Sequence, residues 1–322
     1  MINFRFHIAS LVAVFLALAL GIVIGSTVID RAIVDNLNDR LDTIQSEARA
    51  TRRDNRILLD KTADQQDYLD QLKAFAVANQ LDGVPVVPIG VRGVDESPVE
   101  DTVELARESG AVVPGVLWLE PKLALEDDAS VEELATILGD PTLTRREARA
   151  TLWQALAARL RAGGAPTTGD SDLLQALVDG GFVQFEAVGD TPDDFSLSNF
   201  PGLGSRVLLA DGVGGQLSVA RTAVPLARAF AADGVPLVAG EVWREEDGGP
   251  DRGTIVAPIR DDDDLSAEVS TVDDLDMLEG RIAAVLALSD LTRGTVGKYG
   301  YADGARQRAW ASRRPCRAAS GS

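Results

Sequence analysis

Residues Ile8 to Ile29 (IASLVAVFLALALGIVIGSTVI) are 22 positions without a charge, and no Gly or Pro follows from Ser26 to Asp82. At roughly 1.5 Å per residue the apolar run reaches about 33 Å, enough for a hydrocarbon core of about 30 Å. The pairing predicts a transmembrane helix that continues into a rigid stalk. Ala17-Leu18-Ala19 also has the small-x-small spacing of a signal-peptide cleavage site. A signal peptide's apolar core usually ends at its cut, whereas Leu20-Gly21-Ile22-Val23-Ile24 carries this one onward. The expectation is therefore an uncleaved signal anchor over residues 1–29. Met1, Arg5 and His7 precede the span and Asp30-Arg31 follows it. A positive-inside bias puts the N-terminus in the cytoplasm and everything after Ile29 outside.

From Val34 to Asn79, apolar and small residues recur alternately three and four apart, including Val34, Leu37, Leu41, Ile44, Leu58, Leu69 and Leu72. That is a heptad seam, and a strict seven-residue period favours a left-handed supercoil. Thr51, Asn55, Thr62 and Gln65 make its middle polar. Asn55 at an a position can pair with its own copy and fix the register of a parallel homodimer. Glu47 at g and Arg52 at the following e form an attractive pair across such a dimer. The stalk is expected over residues 30–82. A long helix folded back on its own domain has much the same periodicity and is the competing reading.

After Gly83 the pattern changes to short apolar runs alternating with helical stretches. Segments 84–91, 111–119, 182–187, 207–210, 235–239 and 254–258 have the character of strands. Segments 98–109, 131–138, 144–161, 171–178 and 217–232 have that of helices. Such alternation predicts an α/β domain over residues 83–300, built on a doubly wound, mostly parallel sheet. The acid of the chain, which carries a net charge of −19, is concentrated here. A surface so negative repels phosphate backbones, so nucleic acid is excluded as a partner.

Open parallel sheets bind ligands beyond their strand ends. The candidate loop is Asp211-Gly212-Val213-Gly214-Gly215, between the 207–210 strand and the 217–232 helix. Asp211, Gly212, Gly214 and Gly215 could let backbone amides and a helix N-terminus approach an anion. The phosphate-loop GK[ST] and the dinucleotide fingerprint are both missing, so a plain tight turn competes. Asp261 to Asp264, with Asp273, Asp274 and Asp276 beyond, offers oxygen ligands for a hard cation. The run lacks EF-hand spacing, and a solvated acidic loop is the blander reading. Thr271-Val272-Asp273-Asp274 could instead cap a helix. His7 lies at the membrane face, and Cys316 is the single cysteine. No His-based triad or thiol nucleophile can then be assembled in the domain, and no enzyme activity or cofactor is expected. One cysteine also excludes an intramolecular disulfide. The basic tail 301–322 ends in QRAWASRRPCRAASGS. It is expected to be disordered, with arginines able to touch anionic lipid or the acidic domain.

One set of motifs runs through Ser10-Leu11-Val12-Ala13-Val14-Phe15-Leu16-Ala17-Leu18-Ala19 with Gly21 and Gly25, and through Ser270-Thr271-Val272-Asp273-Asp274-Leu275-Asp276. It continues through Gly280-Arg281-Ile282, Leu286-Ala287-Leu288 with Asp290-Leu291, and Gly297-Lys298-Tyr299-Gly300. In these motifs the chain, to about Gly300, resembles the mycobacterial copper transport protein B (MctB) family. Membership implies copper efflux or tolerance, in a family described as channel-forming proteins of the mycobacterial outer membrane. Beyond Met1, the donors that copper prefers are Met277, His7 and Cys316, from which no conventional copper site can be built in one chain. The alternative is a non-enzymatic envelope scaffold, in which membrane lipid holds the stalk and the acidic domain meets an envelope protein partner.

Overall fold

The computed structural model of the protein describes residues 4–163, 172–189, 195–200, 204–245 and 249–306. One helix, α1 (Phe4–Val77), runs unbroken for 74 residues. Its first 22, Phe4–Gly25, are long and apolar enough to cross a membrane, and none of that stretch is buried against protein. The chain divides into two compact units, Met1–Asp67 and Tyr68–Ser322. The helix stops two residues short of the last seam position. Asn79 takes a left-handed φ of 56°. The chain beyond is then tied down by the Leu81 N–H donating to Ser109 O and the Gly83 N–H to Gly110 O.

The second unit is an α/β layer structure, as the alternation of runs predicts. In chain order it contains β1 (Val86–Val91), α2 (Glu96–Glu108), β2 (Gly115–Leu119), α3 (Asp128–Ile137), α4 (Arg145–Ala162) and α5 (Leu173–Asp179). There follow β3 (Val183–Ala187), β4 (Arg206–Gly212), α6 (Ala223–Asp233), β5 (Leu237–Val242), α7 (Ala257–Arg260), α8 (Asp263–Glu268), β6 (Val269–Val272), α9 (Leu278–Asp290) and β7 (Lys298–Tyr299). The strands form one sheet in the order β3-β2-β1-β4-β5-β6-β7. Every pairing is parallel except that of β2 with β3. Strands β1, β2, β4, β5 and β6 are buried along their whole length, which is why the first four are centred on apolar runs rather than alternating ones, while β6 keeps Ser270 and Thr271 inside.

Helices cover both faces. On one, Trp153 and Leu156 of α4, Leu226 and Phe230 of α6, and Phe182 pack on Ile89, Leu117, Leu209 and Ala239. On the other, Val99 and Val103 of α2 and Ile282 to Leu288 of α9 pack on Trp118, Leu208, Ala210 and Val238, with Val77 at the end of α1. Helix starts follow ordinary chemistry. Thr144 closes a capping box with Glu147 at the start of α4.

Three expectations are corrected. Residues 254–258 are not a strand but a turn entering α7. Thr271 caps no helix: it lies inside β6, and α9 begins later, behind Met277. The Asp261–Asp264 run is not a bare acidic loop either. Asp262 caps α8, accepting from the Leu265 N–H at 3.1 Å and pairing with Arg228 at 2.7 Å.

Candidate functional site

The parallel strands all deliver their carboxyl ends to one edge, and the strand order reverses between β1 and β4. That reversal is where an open α/β sheet leaves its ligand crevice. Here the two loops meet across it, backbone to backbone. A Cβ on Gly93 would stand 2.3 Å from Gly214 O, and one on Gly214 would stand 2.6 Å from Gly93 O. Both have left-handed φ, 98° and 91°. The Gln216 N–H also donates to Arg92 O at 2.8 Å. Gly93→Ala therefore combines backbone strain with a clash that only loop movement relieves. A loss of at least about 1–3 kcal/mol is expected in urea unfolding, and unchanged stability would show that the loops are free to part.

The predicted anion loop lies at this point. Gly212 donates its N–H to Asp211 Oδ1 at 2.8 Å. The Val213 N–H donates to Val242 O and the Gly215 N–H to Gly212 O. Those amides are engaged within the protein, and the loop enters α6 through a short 3-10 turn, Val219–Arg221. Asp211 itself is buried, with Oδ2 lacking any hydrogen-bond partner. Burial pushes its carboxyl up to about 7, against the pull of the Gly212 N–H and with a further push from Glu241.

Asp211 is the first of three carboxylates on adjacent strands. It is in register with Glu241 at the end of β5. Thr271 of β6 pairs with Ala239, so Asp273, two residues on, falls level with Glu241. Neighbouring strands lie about 4.8 Å apart, so three acids stand in one rank along the sheet edge. Each is answered by backbone amides or by a cation. Glu241 accepts from the N–H groups of Gly253, Ile255 and Val256 at 2.8, 3.1 and 3.4 Å. Burial raises its pKa, those three amides lower it, and Asp273 raises it. Asp273 accepts from the N–H groups of Tyr301 and Ala302 at 2.7 and 3.2 Å, and pairs with Arg260 at 2.8 Å. Arg260 continues to Thr271 Oγ1 and Tyr299 O.

Further out, Arg252 grips both oxygens of Asp276 at 2.8 Å and lies 4.5 Å above the Trp243 ring. Asp274 points to the opposite face of the sheet, against Gly280 in the first turn of α9, with Oδ1 unpartnered. Burial pushes it up to about 7, with Asp273 adding and Arg252 opposing. An open hollow of about 500 Å³ lies between segments 251–257 and 301–303.

Chemically, the rank binds loops. Among the described residues no three His, Cys, Asp or Glu side chains converge as a metal site. Met277, partly exposed, precedes α9, and His7 lies in the apolar part of α1. Of the tail expected over 301–322, residues 301–306 are described, held by the Tyr301 and Ala302 N–H groups on Asp273 and by the Arg306 N–H on Lys298 O, while Cys316 and residues 307–322 lie outside the described residues. Of the loop singled out by sequence, Asp211 belongs to the rank. Asp273 was singled out only as a possible cation ligand or part of a cap, and Glu241 and Arg260 were missed. The sequence signal for Glu241 is an acid closing the apolar run Leu237-Val238-Ala239-Gly240-Glu241.

Comparison with known proteins adds what the geometry does not. The family model described as "Copper transport outer membrane protein, MctB" matches residues 1–309. The copper transporter MctB of Mycobacterium tuberculosis (strain ATCC 25618 / H37Rv) is 29% identical over 333 residues, covering 95% of this chain and 98% of the relative. That of Mycobacterium leprae (strain TN) is 29% identical over 324 residues, with the same coverage of each chain.

Proposed function

Since the chain belongs to the MctB family, we propose that it is a membrane-anchored component of copper transport and homeostasis in the cell envelope. The observation that carries the proposal is the extent of the match, which takes in the apolar span, the long helix and the acidic α/β unit together. The span crosses one membrane with the N-terminus in the cytoplasm and the acidic domain outside. The family's description names the outer membrane instead, where the same anchor would have its N-terminus in the periplasm. The protein performs no covalent chemistry.

Copper enters as cargo. Copper(I) seeks thiolate and thioether and copper(II) accepts imidazole, and the donors of this kind are Met277, His7 and Cys316 after the initiator. The acidic domain raises the local concentration of cations, and an envelope protein partner supplies the tight ligands. Deleting the gene is expected to raise copper sensitivity, and the full chain to restore tolerance. A chain with Met277→Leu, His7→Gln and Cys316→Ser together is expected to restore it equally. Failure of that variant at normal membrane abundance would mean that the chain holds copper itself. A deletion strain with unchanged copper tolerance would remove the copper reading altogether. Fractionation with protease accessibility in intact cells tests membrane and sidedness.

A further inference from the structure

We propose that residues 34–65 of α1 form a parallel two-stranded coiled coil with a second copy of this chain. The helix has no break through this stretch, so the heptad seam is carried on one continuous face. Leu37, Leu41, Ile44 and Leu58 on that seam are all more than half exposed, and Leu59 on its flank is 70% exposed. From Leu69 the situation changes. Leu69, Leu72 and Ala76 are half-buried and Val77 is fully buried in the second unit's own core. The seam that still needs a partner therefore ends near Gln65.

The polar centre fits a second copy better than it first suggests. The Thr62 hydroxyl donates to Leu58 O of its own helix at 2.9 Å, so its donor is satisfied without a partner. Asn55, at a, can pair with its own copy across a two-fold axis, a device that fixes register and number at a cost in stability. Leu41 at a with Ile44 at d is the arrangement that favours larger bundles. Asn55, with Val34 at a before Leu37 at d, decides for two. Charge agrees with the parallel sense. Glu47 at g meets Arg52 at the partner's e, and the other g-to-e pairs, among them Arg40 with Gln45 and Lys61 with Gln66, put no like charges together. The apolar span adds a lipid-side contribution, because two anchored chains meet at an effective concentration far above that of free chains.

The test uses the full chain in membranes, in a Cys316→Ser background. Single cysteines replace Leu58 or Ile44 on the seam and Asp60 on the opposite face, and mild oxidation by a dipyridyl disulfide follows. Leu58→Cys and Ile44→Cys are expected to bridge into a two-chain species several-fold more than Asp60→Cys. An antiparallel pair would leave Leu58→Cys unbridged, and a lone helix would bridge all three alike; either result overturns the proposal. Native mass measurement of the detergent-extracted chain is expected to give two copies, and one or four would overturn it. Asn55→Leu is expected to broaden that mass distribution toward larger assemblies, and an unchanged distribution would remove Asn55 from its role.

Discussion

Replacing Arg260 by alanine is expected to destabilise the α/β unit by about 3–5 kcal/mol, the cost of stranding a buried charge. Asp273 is completely buried and Arg260 almost so, and they pair at 2.8 Å. Without the guanidinium, Asp273 keeps two backbone N–H groups but loses its counter-charge, while Thr271 Oγ1 and Tyr299 O lose a donor. For a domain of this size a loss of that order lowers the melting temperature by roughly 6–20 °C. Arg260→Ala with Asp273→Asn is expected to recover part of it, since the stranded charge is then gone. Thermal unfolding of the single and double variants measures both. A single variant within about 1 kcal/mol of wild type would mean that water reaches the pair, and the carboxylate rank would lose its role as a clamp on the 300–303 segment.

The long apolar N-terminal helix and the parallel sheet were legible because each is written in local composition. Uncharged residues over more than five helical turns have few other uses. Strands buried on both faces become apolar runs. The β6–β7 end of the sheet was illegible for a corresponding reason. Val269–Val272 is a four-residue strand with Ser270 and Thr271 in its middle, and Lys298–Tyr299 is only two residues. The place of the first is decided by pairing with β5 and that of the second by pairing with β6, which no local pattern reports. Thr254-Ile255-Val256 has the β-branched content of a strand. It turns instead because the Ile255 and Val256 N–H groups are taken by Glu241, fourteen and fifteen residues away in sequence.

The acids of segment 261–276 look alike in sequence and do different work in the fold. Asp262 caps a helix, Asp273 joins the buried rank and Asp276 holds Arg252. Register separates them, and register follows from the whole sheet. At the strand reversal, the glycines around 212–215 were visible as a turn able to approach something closely. What Gly214 approaches is Gly93 of the neighbouring loop.

Asp211→Asn is expected to stabilise the protein at pH 8 by about 2–4 kcal/mol and to change it little at pH 4.5. The wild-type carboxyl is pushed from an ordinary 3.8 up to about 7, chiefly by burial. Because the folded value is the higher one, the folded state holds a proton that the unfolded chain releases between pH 4 and 7. Stability therefore falls as pH rises through that window and levels off above about 7, a penalty on the order of 4 kcal/mol when the group is fully ionised. Asparagine keeps an oxygen for the Gly212 N–H and replaces Oδ2, which has no partner to lose. It thus resembles the protonated acid, and the benefit appears only where wild type must ionise. Asp274 titrates in the same sense and range, so the variant keeps a downward slope of its own. The readout is accordingly the difference between the two urea-unfolding profiles. Asp127, Asp140, Glu147 and Asp262 have depressed pKa values, so their contribution disappears only as pH falls below about 4, outside the window. A gain of equal size at both pH values would show that Asp211 stays charged throughout, and an equal loss at both would show that the amide is not tolerated there.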